Sequence, residues 1–318
     1  MDKTMTTPII VDCDPGVDDA IALLLAFGLT LPIQGITTVA GNVPLRLTQS
    51  NARKICTLAN RTDIPVFAGC PRPLLRPLAT AEDIHGATGL QGATLPEPAV
   101  ALQSQHSVDY LTQQLLNASE PITIAALGPL TNIAVALIQT PEITKNIGQL
   151  VVMGGAMGQG NITPSAEFNM YVDPHAAHVV LTAGIPTTLI TLDITHQVLT
   201  TPERLAAIKA IGNPVSTAAA GLLSFYGQSD IERYGLPGGP LHDPCVLAYL
   251  HSPDLFTTKK VTVDLELTSE QAMGRTIIDW HGDAARPDGT TSTIQVANTV
   301  NVQGFYDLLS QALATFPD

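Results

Sequence analysis

The chain has 318 residues, 45% of them hydrophobic, which is ample for a large buried core. With 28 acidic against 15 basic residues its formal net charge is −13, and no run of Lys or Arg offsets this locally, which argues against polymeric nucleic acid or an anionic membrane surface as partner. Four scattered cysteines (Cys13, Cys56, Cys70, Cys245) without a CxxC pair, an opening MDKTMTT that lacks a leader pattern, and no apolar run of membrane-spanning length lead us to expect a soluble cytoplasmic protein.

The first strand signal, residues 9–13, runs into the most informative stretch of the chain, VDCDPGVDDA at residues 11–20. Asp12 and Asp14 alternate around Cys13, so in an extended segment both carboxylates point to one face. Pro15 and Gly16 turn the chain, and a helix is predicted over residues 19–29. Further strands are predicted at 33–39, 66–68, 122–127, 149–153 and 187–192, with helices at 46–59, 107–117, 132–138 and 174–183 between them. Beyond these come helices at 202–211 and 215–226, strands at 261–267 and 292–296, and a final helix at 302–315. Apolar strands alternating with amphipathic helices predict one α/β domain over residues 1–318. Its central sheet is mostly parallel and flanked by helices in Rossmann-like fashion, with ligand sites at the strand carboxyl ends. Asp12 and Asp14, Asn42, Leu127-Gly128-Pro129 and Gly154-Gly155 all fall at such ends.

Two Pro- and Gly-rich segments read as site loops, about 70–103 with His85 and about 226–244 ending in His242-Asp243-Pro244. Helix capping accounts for Asp18 and in part Asp19, but not for Asp12 and Asp14, whose burial is costly without a neutralising partner. An all-oxygen site from Asp14, Asp19 and Asp243 favours Ca²⁺ or Mg²⁺ over Zn²⁺, and the minimum chemistry it permits is metal-assisted hydrolysis. Asp12 reads equally as a ligand or as a support for its neighbours. His196 reads as a core histidine and Asp173-Pro174 as a helix cap.

The blocks VDCDPGVDDA, TTVAGN (37–42), GPLTN (128–132), VMGG (152–155), NITPSAEFNMYVDPHAAH (161–178), LDITH (192–196) and HDPC (242–245) resemble the inosine–uridine-preferring nucleoside hydrolase family across nearly the whole chain. The resemblance implies the nucleoside hydrolase fold and Ca²⁺-dependent cleavage of the N-glycosidic bond of free ribonucleosides to ribose and base, in nucleoside salvage. It implies Asp14 as general base and metal ligand, with Asp19, Asp243 and the Leu127 carbonyl completing the ligands. Asp18, Asn42, Asn161, Glu167 and Asn169 would bind the ribose, with Met153 nearby. His242 would be the candidate general acid and His85 a second contact to the base, beside Phe168, Tyr226 and Arg233. A homo-oligomer, dimer or tetramer, is the family expectation. Purine or pyrimidine preference stays open at this point. So do a related ribosyl substrate, such as a modified nucleoside or nicotinamide riboside, and a non-catalytic ribose-binding sensor.

Overall fold

Strands buried on both faces must be covered on both, and that requirement organises the molecule. The computed structural model describes residues 7–228, 231–232, 235–281 and 293–318. Within them β1 (Ile9–Cys13), β2 (Ile33–Thr38), β3 (Val66–Ala68), β4 (Leu102–Gln103), β5 (Ile122–Ala126), β6 (Ile147–Met153), β7 (Thr187–Ile190), β10 (Phe256–Leu265), β11 (Thr276–Asp279) and β12 (Thr293–Val300) form one sheet, and β8 (Leu199–Thr200) pairs with β9 (Gly239–Pro240) separately. The sheet order is β11-β10-β12-β7-β6-β5-β1-β2-β3-β4. Every neighbour pair from β12 through β4 is parallel, whereas β10 runs antiparallel to both β11 and β12.

From β1 the chain winds outward through β2, β3 and β4, then returns to lay β5, β6 and β7 on the other flank. The order therefore reverses between β1 and β5, and a crevice opens there at the carboxyl ends. Helices α1 (Val17–Gly28), α2 (Leu45–Leu58), α3 (Glu82–His85), α4 (Ser107–Leu116), α5 (Thr131–Gln139), α6 (Phe168–Val172), α7 (Pro174–Leu181), α8 (Leu192–Thr195), α9 (Pro202–Ala210), α10 (Pro214–Tyr226), α11 (Pro244–His251) and α12 (Val302–Ala314) flank the sheet. All twelve residues of α1 are buried, so it is a central element, packed among α10, α11 and α12. None of the helices described is long and apolar enough to cross a membrane.

The predicted strands through β7 and the helices α1, α2, α4, α5 and α7 stand within about two residues of their expected bounds. Asp173 caps α7 through Ala176 N–H with Pro174 next, as the sequence indicated. The differences lie in short elements. The strand expected over 187–192 stops at Ile190, and its last apolar residues wind into α8. One turn, α3, forms inside the segment expected to be irregular, and α11 follows His242-Asp243 directly. The strand expected at 261–267 begins earlier, at Phe256, because it pairs along the whole of β12. Of the strand expected at 292–296, residue Ser292 lies outside the described residues.

Candidate active site

Four aspartates meet at the carboxyl end of β1 because the Asp-Pro-Gly turn carries the chain directly from strand to helix. Gly16 is the residue before α1, and the Asp19 carboxylate accepts hydrogen bonds from Gly16 N–H at 2.9 Å and Asp14 N–H at 3.2 Å. Capping thus falls on Asp19 rather than Asp18. Asn42, after β2, donates its side-chain amide to Asp19 Oδ2 and to the Asp14 carbonyl, while its main-chain N–H donates to Asp14 Oδ2 at 2.7 Å. Two glycines shape the seat of Asp14: a Cβ on Gly41 would run into Oδ2, and one on Gly128 into Oδ1. Gly16 is kept small by His85 and Asn42 in the same way.

The Asp243 side chain arrives from the opposite end of the sequence, at the head of α11. One carboxylate oxygen from each of Asp18, Asp19 and Asp243 lies within 4.8 Å of the others. Asp14 stands outside that trio but next to it, and its Oδ1, like Asp18 Oδ1, is buried with no hydrogen-bond partner. Burial, then repulsion from Asp19, drives the Asp14 carboxyl well above its ordinary range. Burial and then Asp18 and Asp19 do the same to Asp243, and burial with Asp19 lifts Asp18 to about 7. Orphaned, crowded carboxylate oxygens fit a hard divalent cation, which would neutralise them and accept their free lone pairs.

Asp12 is anchored through one oxygen, while its Oδ2 is buried without a hydrogen-bond partner. Its Oδ1 accepts from Thr37 Oγ1 and Asn132 Nδ2, at 2.6 and 2.8 Å, and Asn132 Oδ1 in turn accepts from Cys70 N–H. Burial raises Asp12 to about 7 against those two bonds. It buttresses β1 beneath the site.

Above the carboxylates opens a cavity of about 220 Å³ lined, among others, by Asp18, Asn42, Leu127, Met153, Glu167 and Asn169. Asn169 donates to the carbonyls of Leu127 and Met153, at 2.7 and 3.2 Å, which leaves its Oδ1 as the acceptor on that side chain. Asn42, with its amide hydrogens engaged, is likewise left with an acceptor. Glu167 caps α6: its carboxylate accepts from the N–H groups of Gly155, Asn169 and Met170, and burial still raises it to about 7. Gly155, at φ +76°, makes the turn that presents that N–H. Asn161 Oδ1 accepts from Phe168 N–H at 2.9 Å, tying the loop that carries Asn161 to the wall.

The other end of the cavity is aromatic and imidazole-lined: Phe168, His85, Tyr226, His196 and His242. The Tyr226 ring lies 5.1 Å from His85 and 6.4 Å from His242, edge-on to the latter. His85 Nδ1 accepts from Val17 N–H, and burial lowers this histidine to about 3. Burial, with His196 and His85 adding, pushes His242 well below the usual range. Both are neutral. His196, which the sequence suggested was a core residue, instead lies on the cavity wall with its ring 5.7 Å from that of His242. Arg233 lies outside the described residues. Thr195, bonded to His242, and Gly41 and Gly128, which seat Asp14, lie within blocks that the sequence singled out but were given no role there.

Comparison with known proteins agrees with this geometry. The sequence profile of the family described as "Inosine-uridine preferring nucleoside hydrolase" matches residues 9–307. The pyrimidine-specific ribonucleoside hydrolase RihA of Escherichia coli O9:H4 is 44% identical over 311 residues, 97% of this chain and 99% of its own length. Among solved structures, a plant nucleoside hydrolase, PpNRh1, superposes with a TM-score of 0.90 at 31% identity, covering 98% of this chain and 99% of that one. A purine-preferring ribonucleoside hydrolase from Gardnerella vaginalis gives 0.89 at 29% identity, covering 97% and 98%.

Proposed function

The chain belongs to the inosine-uridine preferring nucleoside hydrolase family and is an N-ribosyl hydrolase, and we propose that it cleaves free pyrimidine ribonucleosides to ribose and base with Ca²⁺ held by Asp14, Asp19, Asp243 and the Leu127 carbonyl, beside Asp18. The observation that carries this is the set of buried carboxylates with two unpartnered oxygens directly beneath a cavity of substrate character. The pyrimidine assignment is supported by the specificity named for the RihA relatives at 44% identity.

Cleavage of an N-glycosidic bond passes through an oxocarbenium-like ribosyl cation. The ribose end of the cavity is suited to it, since carboxylates and the Oδ1 atoms of Asn42 and Asn169 present negative or partly negative oxygen to a ring becoming positive. Those same acceptors, with Asp18, Glu167 and Asn161 around them, take hydrogen bonds from the ribose hydroxyls. Asp14, held in place by Asn42 N–H and the two glycines, accepts the proton of the water that attacks the anomeric carbon. When bound, Ca²⁺ supplies charge neutralisation and Lewis acidity. His85, Tyr226 and His242 face the departing base, with His242 its candidate hydrogen-bond donor, and Phe168 closes that end. A salvage role and a dimeric or tetrameric assembly accompany this proposal.

Steady-state kinetics on uridine, cytidine, inosine and adenosine, with and without a chelator, test it. Uridine and cytidine turnover abolished by chelation and restored by Ca²⁺ is expected. Chelator-resistant turnover, or preference for the purines, would overturn the cation or the pyrimidine assignment respectively.

A further inference from the structure

Thr195 is wholly buried at the end of α8, and its hydroxyl stands 2.7 Å from Nδ1 of His242. Three other threonines in or at the end of a helix give their hydroxyl proton to a carbonyl about one turn back, Thr57 to Arg53, Thr182 to His178 and Thr48 to Leu45, whereas Thr131 gives its proton to Asp173. Among the described residues Thr195 makes no such bond, and its hydroxyl has His242 Nδ1 for partner. A buried O–H without an acceptor costs roughly 1–3 kcal/mol, so the proton points to Nδ1, and Nδ1 accepts. The ring proton of His242 is then on Nε2. His85 reaches the same state independently. The group 3.1 Å from its Nδ1 is the main-chain N–H of Val17, which can only donate. Both rings therefore turn Nδ1 toward the protein and leave Nε2–H for the cavity that both line.

We propose that Thr195 is the positioning residue that holds His242 with Nε2–H toward the leaving base as a hydrogen-bond donor, the Val17 main chain holding His85 alike. Two N–H donors on one end of the cavity recognise a base by an acceptor edge, and the O2 carbonyl common to uracil and cytosine is such an acceptor. The identity of the ligand rests on the nucleoside hydrolase reading above, whereas the tautomer does not.

Ring-nitrogen ¹⁵N NMR on the full-length Ca²⁺-loaded protein, with His242 assigned by its loss in His242→Asn, tests the tautomer directly. A proton on Nε2 and a bare Nδ1 are expected in the wild type and in Thr195→Ser, with the proton shared between both nitrogens in Thr195→Val. In kinetics, Thr195→Val should lower kcat on uridine about 10- to 100-fold with KM nearly unchanged, spare a nitrophenyl riboside whose leaving group needs no help, and be rescued by Thr195→Ser. A proton on Nδ1 in the wild type, or full uridine turnover by Thr195→Val, overturns the proposal. Should the wild type cleave no ribonucleoside, the hydrolase reading fails and the spectrum alone decides the tautomer.

Discussion

The Asp14 carboxylate is held by one main-chain hydrogen bond and by two places where a methyl group is missing, so its position depends on atoms that are not there. Asp14→Asn should keep the fold, as read by far-UV circular dichroism and thermal unfolding, while turnover falls about 10³-fold or more. Gly128→Ala should leave Asp14 intact but displaced, costing about 10²-fold in kcat; undiminished kcat would show that the seat is looser than the geometry requires. Glu167 makes a different prediction. Burial raises its carboxyl from the usual 4.5 to about 7, so the folded state holds its proton where the unfolded chain has lost it. That contribution to stability is complete below about pH 4.5 and disappears as pH rises through 7. Glu167→Gln should therefore flatten the decline in urea stability between those pH values, and an unchanged slope would remove Glu167 as its source. The acids of residues 12–19 were legible in the sequence because four carboxylates in ten residues have no cheap structural excuse. Thr195 was not, because a threonine acquires meaning only from the imidazole that the fold brings to it across 47 positions. His196 was misjudged for the same reason.

At the level of elements, the long ones were written plainly and the one-turn ones were not. Helices such as α2 and α4 carry an apolar face at helical spacing over ten or more residues. Four-residue elements such as α3 and α8 have no room for a period, and their conformation follows from where the sheet leaves the chain. Yet these short pieces deliver His85, Thr195 and His196. One residue ties several elements together: Asp173 Oδ1 caps α7, while its Oδ2 accepts from Leu74 N–H and Thr131 Oγ1, joining the segment after β3 to the head of α5. Asp173→Ala should lose about 2–3 kcal/mol in chemical denaturation, more than a solvent-exposed cap. A loss under about 0.5 kcal/mol would mean that the three bonds are redundant.

For the molecule as a whole, a mostly parallel sheet with the site at the strand carboxyl ends followed from strand–helix alternation in the sequence, whereas the winding out from β1 in both directions that sets the crevice did not. The antiparallel edge of β10 and β11 did not, since nothing local distinguishes an antiparallel strand added at a margin from one more parallel strand. The carboxylate cluster links cation and fold. Ca²⁺ at 100 times its dissociation constant should add about 2.7 kcal/mol to unfolding, so the melting temperature and the activity should fall together on chelation. A melting temperature indifferent to Ca²⁺ would place the cation elsewhere or nowhere.

Asp243 is made more than 200 residues after Asp18 and Asp19. A nascent chain thus holds an incomplete set of cation-binding carboxylates until α11 has been made.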